Sequence, residues 1–326
     1  VAETVAVCGG SGFVGRHLVD RLRQDGHVVR AGTRDVHRAG AVRPGLDWTR
    51  LDVDDVESLD RAFDGATVVV YLVHRMRDGA HLVSAEEDAA GRVLRAAEKA
   101  GVGRIVYLGG PDPGASASEH LIARIRTGEV LRGGRPATTE LRAGMVVGAG
   151  SESFLIVRDL ALRLPIMVLP SWLQSRSQPV WLGDVTSALA HACTRADAAT
   201  AWHHLPGPEA LTAEQILRRV AARVGMRPVA VRVPVLTPAL SAQWIRLVSR
   251  ADYTVARRLV DGLTVDLVAP DDGYWSFMPG HQRVGFDEAV DRALTAEARL
   301  RGVALVWETV ARRVALSARP ELPARR

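Results

Sequence analysis

The 326-residue sequence predicts an α/β fold built on a doubly wound parallel sheet, with a smaller, mainly helical C-terminal region. Three observations carry that prediction. Apolar runs of strand length alternate with longer helix-patterned stretches up to about residue 145, as in a chain of βαβ units. The first apolar run ends in a glycine-rich turn that opens directly into a helix pattern. Beyond residue 145 the alternation loosens, with Leu164-Pro165 and Leu169-Pro170 punctuating it.

In order, the pattern predicts strands at 4–8, 27–33, 47–51, 67–73, 104–109 and 137–142, with helices at 13–25, 55–63, 80–100 and 118–133 between them. Val68 to Val73 and Ile105 to Leu108 are apolar at successive positions, which suits central strands covered on both faces. Further on, Gln178 to Leu182 leads into Gly183-Asp184-Val185 at the start of another helix. His203-His204 reads as a strand end, and Thr212-Ala213-Glu214-Gln215 as a helix capping box. From about residue 236 the pattern is mostly helical, with a strand or loop between 264 and 280.

Composition excludes several function classes. With 47% hydrophobic and 24% charged residues the chain is an ordinary globular one. Its formal net charge of +5 reflects arginine used in place of lysine, Lys99 being the one lysine, rather than a basic surface. No nucleic-acid-binding signature accompanies it, so no nucleic-acid partner is expected. No apolar stretch reaches the roughly 18 residues that span a bilayer, and nothing resembles a leader, so the reading is a cytoplasmic protein without stable membrane insertion. Cys8 and Cys193 lack metal-ligand spacing, and His203-His204 lacks a third ligand, so no metal is expected.

The strand Thr4 to Cys8 runs into Gly9-Gly10-Ser11-Gly12-Phe13-Val14-Gly15. Gly9 permits a tight turn, Gly12 lets backbone approach a pyrophosphate, and Gly15 lets the helix close on the sheet. The first-turn N–H groups, with Ser11, Phe13 and Val14 around them, would face the phosphates. This strand, turn and helix predict dinucleotide binding. The second strand ends at Thr33-Arg34-Asp35, with Arg38 a turn later, where the adenosine ribose is met. An arginine fork there suits a 2′-phosphate and a carboxylate suits a free 2′-hydroxyl. Arg34 and Arg38 therefore favour NADP(H), and Asp35 keeps NAD(H) open. Asp52 and Val53 are placed for the adenine edge, while Leu72, Val73, His74, Leu108 and Gly109 end the strands that face the ribose and nicotinamide.

These residues, together with His120 to Arg124, Glu140 to Gly148, Pro179 to Val185 and Leu205 to Glu209, resemble the short-chain dehydrogenases/reductases. More narrowly, the chain resembles the atypical, NmrA-like NAD(P)H-binding branch. The resemblance implies a Rossmann-type NADP(H)-binding domain over 1–150 and a substrate-side region over 151–317 interleaved with it, while the Pro- and Arg-rich composition of 318–326 reads as a flexible tail. It also implies an oxidoreductase whose superfamily pairs a tyrosine with a lysine four residues later. That pair is absent, because Arg95 lies four positions before Lys99. On the helix after the fifth strand the same spacing carries His120 and Arg124, which share a face. The serine that usually follows the fifth strand is replaced by Gly109-Gly110, which would widen or disarm the pocket.

His120 is thus the candidate proton donor, and Arg124, which cannot shuttle protons, a candidate for binding and polarising. His74, Arg142 and Met145 are the candidate substrate contacts, Arg142 being equally readable as scaffold. Leu155 to Val157, Ile166 to Leu169, Trp172, Trp181 and Trp275 read as pocket wall or core. Two functions remain open. One is an NADPH-dependent reductase of a carbonyl or activated alkene in an apolar, aromatic or quinone-like small molecule. The other is a non-catalytic NADP(H)-binding redox sensor. Sugar epimerase chemistry relies on the missing tyrosine. A homodimer is left open.

Overall fold

Strands that are apolar on both faces need cover on both, and the computed structural model supplies it; it describes residues 2–74, 81–112, 118–163, 166–195, 197, 199–226, 229–233 and 265–301. The first half of the main sheet comprises β1 (Thr4–Cys8), β2 (Val28–Thr33) and β3 (Trp48–Arg50), and the second β4 (Val68–Tyr71), β5 (Arg104–Gly109) and β6 (Ala137–Arg142). Four short strands follow: β7 (Val146–Val147), β8 (Ile166–Pro170), β9 (Arg176–Ser177) and β10 (Val180–Trp181). The chain then returns to the main sheet as β11 (Ala201–His204), beside β6. The order is β11-β6-β5-β4-β1-β2-β3, with every pair parallel. Two further strands, β12 (Leu211–Thr212) and β13 (Val229–Val233), pair with β9 and β8 outside that sheet.

Helices cover the two faces. On one, Leu18 and Leu22 of α1 (Phe13–Gln24) and, from a helix over Leu182–Thr194, Val185 and Leu189 pack on Val5, Val7, Val70 and Val106. On the other, α3 (Val56–Phe63), α4 (Leu82–Lys99) and α5 (Glu119–Arg132) bury Phe63, Val93 and Leu131 against Ala6, Val69, Tyr71 and Tyr107. The predicted elements recur within a few residues at each end. A further helix, α2 (Val36–Val42), was not expected; it is only seven residues long, too short for apolar periodicity to register, and it is started by Asp35, whose carboxylate accepts from the Arg38 amide at 2.9 Å.

The remaining helices are α6 (Glu152–Arg163), the already described α7 over Leu182–Thr194, α8 (Ala213–Arg223) and α9 (Phe286–Arg301). The loosened pattern after 145 hid α6, because its apolar residues face both a core and a cavity. Phe154 joins Ile216, Val220, Phe286 and Val290 in a separate cluster, Ile156 lines the cavity, and Val157 meets both. The box at Thr212 and Gln215 forms as the spacing predicts. Buried Arg158 of α6 pairs with Asp159 and with Glu297 of α9, and Asp184 accepts from His281 Nε2 and the Val284 amide, both at 2.9 Å. These contacts tie α9 to α6 and the segment just ahead of α9 to α7.

Cys8 and Cys193 are buried, and burial pushes both thiols up, so both are protonated at neutral pH. No described helix is long and apolar enough to cross a membrane. No metal-ligand cluster occurs among the described residues. The predicted helical stretch over 236–263, the Trp172 side chain and the tail at 318–326 lie outside the described residues.

Candidate active site

In a parallel sheet of this order, loops at the carboxyl ends of β1, β4, β5 and β6 converge on one crevice. A cavity of about 550 Å³ lies there. Its floor is the glycine turn, with Gly9, Gly12, Phe13, Val14 and Gly15 on its surface. Gly9 has φ +86°, and the Gly12 amide donates back to its carbonyl at 2.9 Å. A Cβ on Gly15 would overlap the Gly9 carbonyl oxygen and come within 2.9 Å of Gly10 Cα, so the turn and α1 touch backbone to backbone. The α1 N-terminus has neither a side-chain cap nor an acid in its first turn. Its free N–H groups and dipole suit an anionic ligand.

The same cavity takes in Leu72, His74, Leu108, His120, Arg124 and Met145, from four different elements. Arg124 is anchored: its Nη2 donates to the Leu108 carbonyl at 2.9 Å, and its own carbonyl accepts from Tyr107 Oη at 3.0 Å. Gly110 makes that possible, since a Cβ there would stand 3.0 Å from Arg124 Cδ. His120, on the first turn of α5, is 8% exposed. Burial, then the charges of Arg124 and His120, hold His74 well below the usual histidine range, against a hydrogen bond with the Leu108 backbone that raises it. Burial pushes the Tyr107 phenol up to about 12. His74 and Tyr107 meet edge to face, with ring centroids 6.2 Å apart.

A second cavity of about 390 Å³ opens beyond β2. Ser11, Thr33, Arg34 and Arg38 line it as placed, and Arg16 and Arg43 join them. Asp35 lines it too, but its carboxylate is engaged as the α2 cap. Neither the Arg34 nor the Arg38 side chain has a carboxylate partner among the described residues.

Several candidates fall elsewhere. Asp52, Val53, Val73, Gly109 and Arg142 line neither cavity. Val53 is core, and Asp52 organises its own turn, its Oδ1 accepting from the Asp54 amide at 3.1 Å. Arg142 Nε donates to buried Glu140 at 2.7 Å, its Nη1 reaches Asp112 at 3.5 Å, and its guanidinium lies 4.0 Å over Trp202. Arg132 pairs with the same glutamate. Gly109 does not widen a substrate pocket: a Cβ there would stand 2.7 Å from Glu140 Oε1, and one on Gly128 would overlap Oε2. Those glycines house a buried ion cluster. Trp275 is structural, donating to the Pro206 carbonyl at 2.7 Å, and Trp181 lies under Arg292. Sequence reasoning missed Ser151, Glu152 and Ser153 at the start of α6 and Leu267, all on the larger cavity. The Gly148 to Ser151 turn ahead of α6 was the available signal.

Residues 9–144 match the family model described as NAD(P)H-binding. That segment is an NAD(P)H-binding domain. A ceramide reductase of Caulobacter vibrioides is 28% identical over 244 residues, 71% of this chain and 73% of that protein. An uncharacterized protein of Mycobacterium tuberculosis is 27% identical over 257 residues, 78% of this chain but 27% of that longer one. Among solved structures, the Citrobacter sp. triphenylmethane reductase superposes with a TM-score of 0.73 at 18% identity, covering 90% of this chain and 99% of that one. The Escherichia coli NADPH-dependent quinone oxidoreductase does so with 0.71 at 20% identity, covering 88% and 98%. These superpositions carry the fold. The glycine turn lies at the start of the matched segment, and its backbone cradle and the uncapped α1 fit a pyrophosphate.

Histidines inside the site and outside it set a pH response. His17, His74, His191, His203 and His204 are all pulled below the usual range, burial being the leading cause for each. The unfolded chain therefore binds more protons just below pH ~6.5, and stability falls as pH drops through that window. Thermal melts should show a Tm that is flat above about pH 7 and declines below about 6.5. A Tm that rises on acidification would contradict this assignment.

Proposed function

We propose that this chain is an NADP(H)-dependent reductase acting on a carbonyl or activated alkene of an apolar, aromatic or quinone-like small molecule. The observation that carries the reading is that one cavity joins the glycine turn to His120, Arg124 and an apolar wall of Leu121, Met145, Ile156 and Val157. The names of the similar proteins, a dye reductase, a quinone oxidoreductase and a ceramide reductase, agree with an apolar acceptor. Arg34 and Arg38, with Asp35 diverted to capping, support NADP(H) over NAD(H).

Bound at the glycine turn, the cofactor supplies the hydride. The chain supplies the rest. Apolar side chains from α5, α6 and the segment after β6 exclude water from the acceptor. His74, held neutral by burial, can accept a hydrogen bond at Nδ1 but is no source of a proton at neutral pH. Proton donation at the substrate oxygen falls to His120, whose position on the first turn of α5 faces the same space. The Arg124 guanidinium fixes the end of β5 through Leu108, and its field stabilises negative charge developing on the substrate. The proposal extends to a cytoplasmic protein with no nucleic-acid partner, in which a homodimer is the assembly to look for by light scattering.

The test is titration with NADPH and NADH, followed by turnover of quinones, enones and aromatic ketones by the wild type and His120→Ala. NADPH turnover that collapses in the variant supports a reductase with a histidine acid. Tight NADPH binding with no turnover across the panel would favour the sensor reading. Arg34→Ala should weaken NADPH by about ten- to a hundredfold, the worth of one charge-assisted contact, and leave NADH unchanged. Equal losses for both nucleotides would remove Arg34 from the 2′-phosphate site.

A further inference from the structure

Arg16 follows the last glycine of the turn and reads in the sequence as an ordinary surface position of α1. Its surroundings are not ordinary. Its side chain lines the smaller cavity beside Ser11, Thr33, Arg34 and Arg38. Its Nη2 donates to the Ala149 carbonyl at 2.7 Å and its Nε to His17 Nε2 at 3.3 Å. Both acceptors are uncharged, His17 being pulled below the usual range by burial and by Arg16 itself. Neighbouring Arg43 is neutralised by Asp20 at 2.5 Å. Arg16 is thus a half-buried cation with no carboxylate partner among the described residues, on the wall of a cavity that an anion would fill.

Its other end holds the substrate side. Ala149 belongs to the turn that starts α6, closed by the Ser151 amide on the Gly148 carbonyl at 3.1 Å. Gly150 has φ +93°, and a Cβ there would stand 2.5 Å from Arg16 Nη2, so the turn is shaped around the guanidinium. Ser151 Oγ then accepts from the Phe154 amide at 3.3 Å. From that point Ser153, Ile156 and Val157 line the larger cavity.

We infer that Arg16 is a positioning residue with two faces: it contacts the 2′-phosphate of NADP(H) and, through Ala149, fixes the start of α6, so that the phosphate tightens the substrate wall. The inference rests on the proposed NADP(H) preference and adds a residue and a coupling to it. A planar guanidinium with several donors can hold a carbonyl and a phosphate at once, which a single ammonium does less well.

The experiment measures NADPH and NADH dissociation constants, and amide hydrogen exchange over residues 148–157, in the wild type, Arg16→Gln, Arg16→Lys and Arg34→Ala. In the wild type, saturating NADPH should protect 148–157 more than saturating NADH does. Arg16→Gln should lose about tenfold or more in NADPH affinity with NADH unchanged, and the extra protection should vanish even at saturation. Arg16→Lys, a conservative variant that keeps the charge, should retain part of the NADPH preference with weaker protection. Arg34→Ala should lose NADPH affinity yet keep the extra protection once saturated. An unaltered NADPH to NADH ratio in Arg16→Gln, or extra protection that survives in it, would overturn the inference. A wild type with no NADPH preference would instead overturn the cofactor reading beneath it.

Discussion

Replacing Gly15 by alanine will weaken nucleotide binding by about a hundredfold or more. The new Cβ would collide with the Gly9 carbonyl oxygen and with Gly10 Cα, both backbone, so no side-chain rotation can relieve it. Either the glycine turn opens or α1 tilts away from β1. Both moves carry the first-turn N–H groups off the pyrophosphate, and losing two charge-assisted hydrogen bonds corresponds to at least about a hundredfold in affinity. Overpacking should also lower stability by about 1–3 kcal/mol. Fluorescence titration with NADPH and a urea melt of the same sample separate the two effects. Affinity within a few-fold of wild type would mean that the close approach of turn and helix is not what holds the cofactor.

The second large effect should come from a residue far from the chemistry. Glu140 is fully buried on β6 between Arg142 and Arg132. Glu140→Gln keeps the shape but removes the charge, leaving two arginines facing a neutral amide. Breaking a buried pair in this way typically costs about 3–5 kcal/mol. The expected readout is a urea midpoint shifted down with an unchanged m-value, because the same surface is exposed on unfolding. A loss under about 1 kcal/mol would mean that water or a neighbouring carboxylate compensates both arginines. NADPH affinity should change little, since none of the three side chains lines the nucleotide cavity.

These two positions also show what the sequence could and could not display. Gly15 was readable because its role is fixed by local order, a strand, a turn and a helix start within a dozen residues. The six strands and four helices of the first half were readable for a related reason: runs such as Val68 to Tyr71 are buried on both faces, so burial and composition agree. His120 and Arg124 reach the same cavity as the glycine turn because both follow strands whose carboxyl ends converge. The cluster around Glu140 had no such signature. Gly109 and Gly128 are small because a carboxylate from another strand occupies their space, a constraint that exists only after the chain has folded. The capping role of Asp35 was hidden for a comparable reason, since a carboxylate beside the ribose position also suits a helix cap, and α2 is too short to announce itself. Arg16 was hidden because its partner, Ala149, lies on the other side of the fold.

The last strand of the main sheet comes from well beyond the segment that matches the NAD(P)H-binding family, and this matters for a chain made from its N-terminus onward. Until Ala201–His204 have emerged, β6 presents its outer row of backbone donors and acceptors unpaired, and until Leu182–Thr194 have emerged the apolar side of α1 is uncovered. A nascent chain stopped near residue 150 therefore exposes both a strand edge and a hydrophobic helix face, the two features that draw unfinished chains into aggregates. The nucleotide half is complete in its binding residues long before it is complete as a folding unit.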